Sequence, residues 1–178
     1  MSAAAGEFCL SGYRLRLAIE ADLPAIVAIY NSIIPGRMVT AELEPVTVEG
    51  RRPWFAAHDP QTRPLWVLVE TATDAVVAWM SFDTFNARAA YNGTVMIALY
   101  LAETHRRRGL GQALVQHALA VAPRHGVHTI LGYIFAHNAP SLLLFERLGF
   151  ARWALLPRVA ILDGVERDLV IVGRRAGA

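Results

Sequence analysis

Arg106, Gly109 and Gly111 stand in the run THRRRGLGQAL, residues 104–114, with the spacing R-x-x-G-x-G. The run follows directly on an apolar stretch, GTVMIALYL, that reads as a strand. It opens a segment with helical spacing of apolar residues at Leu110, Leu114, Val115, Ala118 and Leu119. Strand, glycine loop and helix in that order make an anion cradle. The glycines allow tight backbone angles and a close approach, and the first N–H groups of the helix have no intrahelical partner and point at the anion. A pyrophosphate is the guest that fits. The run is neither a P-loop, which needs Gly-Lys-Ser/Thr after its spacer, nor a dinucleotide fingerprint, which needs a third glycine.

A second block lies beyond another apolar strand, Thr129–Phe135, and reads HNAPSLLLFERLGF. Read locally, Asn138 is a helix N-cap, a preferred role for its side chain. Ser141, three residues on, shares its helix face. Phe145 carries no group that could donate a proton and reads as core packing.

Taken together and in this order, the two blocks resemble the GCN5-related N-acetyltransferases (GNAT family), and the resemblance spans about residues 13 to 173. In that family the first block is the acetyl-coenzyme A loop, and the second supplies an Asn, a small residue three on and an aromatic seven on. Within the family, YNGT before the central strand and LDGVERDLVIVGRR near the end look like the phosphinothricin acetyltransferase branch. Members of that branch acetylate the α-amine of small amino-acid-like compounds such as phosphinothricin or methionine sulfoximine. The resemblance implies acetyl-CoA as cosubstrate, no metal, and a homodimer. It implies a single α/β (α+β) domain over 13–173, between an N-terminal tail 1–12 and a C-terminal tail 174–178. That domain would be a mixed, mostly antiparallel twisted sheet of about seven strands, flanked by about four helices, with the fourth and fifth strands splayed. The pantetheine arm would enter the splay and pair with the backbone around Leu99, Tyr100 and Leu101 as an added strand does. The phosphates would meet Arg106, Arg107, Arg108, Gly109, Leu110, Gly111 and Gln112, while Asn138, Ser141 and Phe145 would lie along the arm.

Two positions depart from the pattern. Aligned by YNGT and Tyr100, branch relatives carry a glutamate, the general base, where this chain has Met96; many members carry a proton-donating tyrosine where it has Phe145. Both acid/base posts are therefore expected to be empty, which puts help worth about 10² to 10⁴ in rate in question. Substitutes on the flanking strands and loops are His137, Tyr133 and Tyr100, with His105 and Glu103 nearer the phosphate loop. A peptide-like α-amine of pKa about 7.7 to 8.0 is already roughly a tenth neutral at pH 7, whereas a lysine-like amine pays about 4.6 kcal/mol to lose its proton. Proximity and a polarised thioester carbonyl could supply the rest. On the substrate side, Arg88 is the candidate clamp for a carboxylate, and Glu42 or Glu44 could face a cation. The other reading is a catalytically degenerate acetyl-CoA binder acting as a sensor or interaction module.

Composition agrees with a small-molecule enzyme. A chain of 178 residues with 54% hydrophobic content can bury one sizeable core. A net charge of +2 argues against nucleic acid, whose backbone rewards many cations at once, and no aromatics interleave with Arg106–Arg108 as a single-strand binder would want. Apolar stretches fall short of the roughly 20 residues that cross a bilayer, and MSAAAGEFCLSGYR lacks the features of a secretory signal. The expectation is a cytoplasmic protein that does not bind membranes. Cys9 is the only cysteine, so no internal disulfide is possible.

The elements that must position these residues alternate along the chain. Strands are expected at Tyr13–Ala18, Leu65–Glu70, Ala75–Phe82, Gly93–Leu101, Thr129–Phe135, Ala151–Leu156 and Glu166–Val172. Helices are expected from Asp22, over Val46–His58, Gly109–Arg124 and Pro140–Leu148, the last stopped by Gly149. Asp163-Gly164 marks a turn between the last two strands.

Overall fold

The computed structural model describes residues 8 and 10–177, so Cys9 and most of the expected 1–12 tail lie outside the described residues. Seven strands, β1 (Tyr13–Leu17), β2 (Leu65–Glu70), β3 (Val76–Thr84), β4 (Thr94–Leu101), β5 (Thr129–Phe135), β6 (Ala151–Leu162) and β7 (Val165–Arg175), form one sheet. Its spatial order is β1-β2-β3-β4-β5-β7-β6. Every pairing is antiparallel except β4 with β5. Four helices accompany it: α1 (Leu23–Ile33), α2 (Val48–Ala56), α3 (Leu110–Val121) and α4 (Ala139–Arg147).

Two layers of helix cover the two faces. The strand sequence LWVLVE of β2 is apolar at successive positions because both of its faces are buried. Leu65, Val67 and Val69 pack with Ile26, Ile29, Tyr30 and Ile33 of α1, together with Trp79. Trp66 and Leu68 face the opposite way, into a core built with α3 and α4 through Leu114, Val115, Ala118, Leu142 and Phe145. Among the described residues no helix is long and apolar enough to cross a membrane.

The helix start at Asp22 has another cause than capping. Asp22 makes no capping hydrogen bond to the N–H groups of α1, and its side chain serves instead the 3-10 turn before it, Glu20–Asp22. Its carboxylate is buried and accepts from Arg16 Nη1 at 2.6 Å and Nη2 at 2.8 Å, and from the Ile19 N–H at 2.8 Å. Burial alone pushes this carboxyl up, but the hydrogen bonds from Arg16 and Ile19 outweigh it and hold it below the ordinary range.

Several boundaries move. α2 is shorter than the expected 46–58, starting after Thr47, which caps it by accepting from the Gly50 N–H at 3.0 Å. α3 stops at Val121 because Pro123 cannot continue it, and a 3-10 turn, Ala122–His125, takes over. β6 runs past Leu156 to Leu162 after a bulge between Leu156 and Ala160, where Arg158 takes φ 53° and hides the strand's periodicity. β7 carries on to Arg175, paired with Thr129, so the sheet extends beyond the boundary of 173 expected for the domain.

Candidate active site

The parallel ladder between β4 and β5 is short: Thr94 pairs with Thr129, Val95 with Ile130 and Met96 with Leu131. Beyond Met96 the two strands part, while β5 stays paired with β7 along its whole length. The gap is a cleft of about 270 Å³ lined by Met96 through Leu101 on one side and Gly132, Tyr133 and Ile134 on the other, closed at one end by Asn138, Ser141, Leu144 and Phe145. The expected splay is thus present, and Leu99, Tyr100 and Leu101 line it.

The glycine loop enters α3 at the end of β4. Gly109 occupies the N-cap with φ 77° and ψ −2°, and no side chain caps the helix. Arg107 also has positive φ, 60°, a conformation that costs a non-glycine residue about 1 to 2 kcal/mol. Gly111 lies close to the cleft wall: a Cβ there would meet Leu144 Cδ2 at 3.3 Å and Leu99 Cδ2 at 3.8 Å. The side chain of Leu110 belongs to the core, so only its N–H could serve an anion. Arg106, Arg107, Arg108 and Gln112 are exposed at the rim. Arg108 donates to the Tyr13 hydroxyl at 3.3 Å, and Arg106 lies 3.8 Å from Glu103.

Asn138 spends both ends of its amide on the protein. Its Oδ1 accepts from the Ser141 N–H at 3.2 Å, the N-cap bond, and its Nδ2 donates to the Met38 carbonyl at 2.9 Å. It thereby ties α4 to the loop after α1. His137 does the same one residue earlier. Its Nε2 donates to the Arg37 carbonyl at 2.9 Å, its ring stacks on Phe135, and it does not line the cleft. Phe145 packs edge-on against Phe150. His105 sits between Thr104 and Glu70, away from the cleft.

Strand alternation sorts the rest. Met96, Ala98 and Tyr100 face the α1/α2 side, as do their cross-strand partners on β3, Asp83, Ser81 and Trp79. The Tyr100 ring is 4.5 Å from that of Trp79 and 5.1 Å from that of Tyr30. Burial there, reinforced by Tyr30 and Asp83, raises its phenol far above the ordinary range and keeps it protonated at neutral pH. Tyr133 is exposed on β5 at the same cleft. Arg88 is exposed in the loop between β3 and β4 and is not part of the lining. Glu42 is exposed, 3.5 Å from Arg51, and Glu44 is exposed beside it. Sequence reasoning missed Asp83, which lines the cleft, and its neighbours Ser81, Trp54 and His58. The legible signal was the polar pair at alternate positions of the otherwise apolar VVAWMSFDT.

The profile of the Acetyltransferase (GNAT) family matches residues 26–150, a span holding the glycine loop, both walls of the cleft and Asn138. The chain belongs to the GNAT family. It is an acetyltransferase of that family, 51% identical over 160 residues to Bacillus subtilis YwnH, provisionally named a phosphinothricin acetyltransferase, covering 90% of this chain and 97% of that one. The L-methionine sulfoximine/L-methionine sulfone acetyltransferase of Pseudomonas paraeruginosa is 32% identical over 89% of this chain and 91% of its own. A GNAT phosphinothricin acetyltransferase of Sinorhizobium meliloti, solved in complex with acetyl-CoA, superposes with a TM-score of 0.86 at 25% identity, covering 93% of this chain and 89% of that one.

Proposed function

We propose that this GNAT enzyme transfers the acetyl group of acetyl-CoA directly to the primary amine of a small amino acid or amino-acid analogue, of the phosphinothricin and methionine sulfoximine kind. The observation that carries the proposal is the cleft itself. Its lining includes Leu99 and Leu144, beside which Gly111 of the cradle lies, and Met96 and Asp83 on the α1/α2 face, so a phosphate-bearing thioester and an amine can meet from opposite sides of the sheet. The pyrophosphate would rest on the N–H groups around Arg108 to Gly111, with Ser141 and Phe145 along the arm. Arg88 would reach in from its loop to a substrate carboxylate. The names of the relatives favour this enzyme over a non-catalytic sensor.

An acceptor screen with free-thiol detection, run over amino acids, their analogues and polyamines, tests it. Thiol release with phosphinothricin- or methionine sulfoximine-like acceptors is expected. Release with polyamines alone would replace the substrate class, and release with none would return the chain to the sensor reading. The enzyme works as a homodimer in this proposal. The edge strand β6 supports that, because it exposes Trp153, Leu155, Val159 and Ile161, each at least half accessible, as apolar surface that a second copy can cover. A monomer in sedimentation at micromolar concentration would refute it.

A further inference from the structure

Met96 is the cross-strand partner of Asp83, so a carboxylate stands beside the position where the base is missing, on the same face of the sheet and lining the same cleft. Its surroundings are built. Ser81 Oγ donates to Asp83 Oδ2 at 2.8 Å, Trp54 Nε1 donates to Oδ1 at 3.4 Å, and His58 Nε2 lies 3.3 Å from Oδ1. The His58 side chain is 8% exposed and that of Asp83 25%. His58 Nδ1 lies 2.9 Å from the Trp54 carbonyl, which can only accept, so Nδ1 carries a hydrogen. In the neutral ring Nε2 is then a bare lone pair, buried without a hydrogen-bond partner and turned toward a carboxylate. Two acceptors face each other, and one proton between them satisfies both.

We infer that Asp83 is the proton acceptor for the incoming amine and that His58 holds the proton behind it. This rests on the acetyltransfer reading above. The substrate ammonium gives one proton to Asp83, which passes it to His58 Nε2, leaving a carboxylate beside an imidazolium. The amine lone pair forms the C–N bond at the thioester carbonyl carbon, the C–S bond breaks, and the second amine proton goes to the departing thiolate. His58 then returns its proton to solvent. Imidazole is the side chain whose proton exchange falls nearest neutrality, which suits it to this holding role. The other ionisable groups that face this corner are Tyr100 on β4, Tyr30 on α1, Arg51 on α2 and Glu42 in the loop between α1 and α2; Tyr30, Arg51, Glu42 and Asp83 all act electrostatically on Tyr100. Arg51 is stacked over the Tyr30 ring at 4.6 Å.

The experiment compares kcat/KM against pH for the natural enzyme, Asp83→Asn, Asp83→Glu and His58→Gln with one amino-acid acceptor. It is paired with NMR titration of the His58 ring in the unliganded protein. The natural enzyme should plateau below the acceptor's pKa because the proton stays in the site. Asp83→Asn should fall about a hundredfold at pH 7 and climb with pH up to the acceptor's pKa. Asp83→Glu should recover part of the loss. In the unliganded protein the His58 ring-nitrogen signals should differ between the natural chain and Asp83→Asn. Identical pH profiles would overturn the assignment, as would a rise in KM alone, which would make Asp83 a counter-ion for the ammonium. If Asp83→Asn does not fold, Asp83→Glu and His58→Gln decide by the same profiles. A natural enzyme that acetylates no amine would defeat the proposed function, while the His58 titration would still report whether the pair shares a proton.

Discussion

Replacing Asn138 by alanine removes two hydrogen bonds at once. The first is the N-cap bond to the Ser141 N–H, whose loss costs about 0.5 to 2 kcal/mol. The second is the bond to the Met38 carbonyl. Asn138 is only 5% exposed, so water cannot readily take over that acceptor, and an orphaned buried group costs about 1 to 3 kcal/mol. The sum is about 1.5 to 5 kcal/mol. For a chain of this length that is a fall in Tm of about 3 to 20 °C, at roughly 2 to 4 °C per kcal/mol. Asn138→Asp separates the two parts, since it keeps the capping oxygen but turns a second acceptor toward Met38. Urea unfolding of both variants, with acetyl-CoA affinity measured by calorimetry, makes the comparison. From sequence the amide was expected to serve the ligand as well as the cap; in the structure Oδ1 and Nδ2 each bond to the protein while Asn138 also lines the cleft. An alanine variant that loses affinity but less than about 0.5 kcal/mol of stability, below the smallest capping cost, would refute the reasoning.

Gly111→Asp should weaken acetyl-CoA by at least about tenfold, or ~1.4 kcal/mol, because its Cβ crowds Leu144 and its charge faces the phosphates. An acidic residue in the first turn of α3 favours the helix, so unchanged stability with reduced affinity is expected, and unchanged affinity in calorimetry would remove the cradle. Asp22→Asn should cost about 2 to 3 kcal/mol, below the full value for a buried pair because Arg16 is partly exposed. Since the folded carboxyl titrates below its unfolded value, its stabilisation is present above about pH 4 and vanishes as pH falls through the folded pKa. Urea midpoints of both proteins should therefore converge as pH falls below about 4, and a gap that does not narrow at all over that acid range would contradict the ion pair's role.

The cradle was legible in the sequence because its parts are local: a strand, two glycines and a helix within one short run. The splay was legible only through resemblance. The β6–β7 hairpin was read too short because Pro157 and the bulge around Arg158 break the alternation, although Asp163-Gly164 correctly marked its turn. Asp83 and His58 could not be joined from sequence, since their meeting depends on how the end of α2 packs against β3. His137 was weighed as a base because it follows β5, but a carbonyl from the distant loop after α1 engages its Nε2, a contact that no local pattern announces.

The three paired residues that join β4 to β5 are a seam in the sheet. On one side lie β1 to β4 and on the other β5, β7 and β6, each slab internally bonded over long ladders. A guest that bonds to the β4 edge from Ile97 to Leu101 is mechanically a splint, welding the slabs where the protein's own backbone does not. Ligand binding to the folded state alone adds RT ln(1 + [L]/Kd), about 2.7 kcal/mol at a hundredfold excess over Kd. The amides along the seam, and Asn138 and His137 that lash α4 to the far slab's loop, are where that added rigidity should register first, as slowed hydrogen exchange.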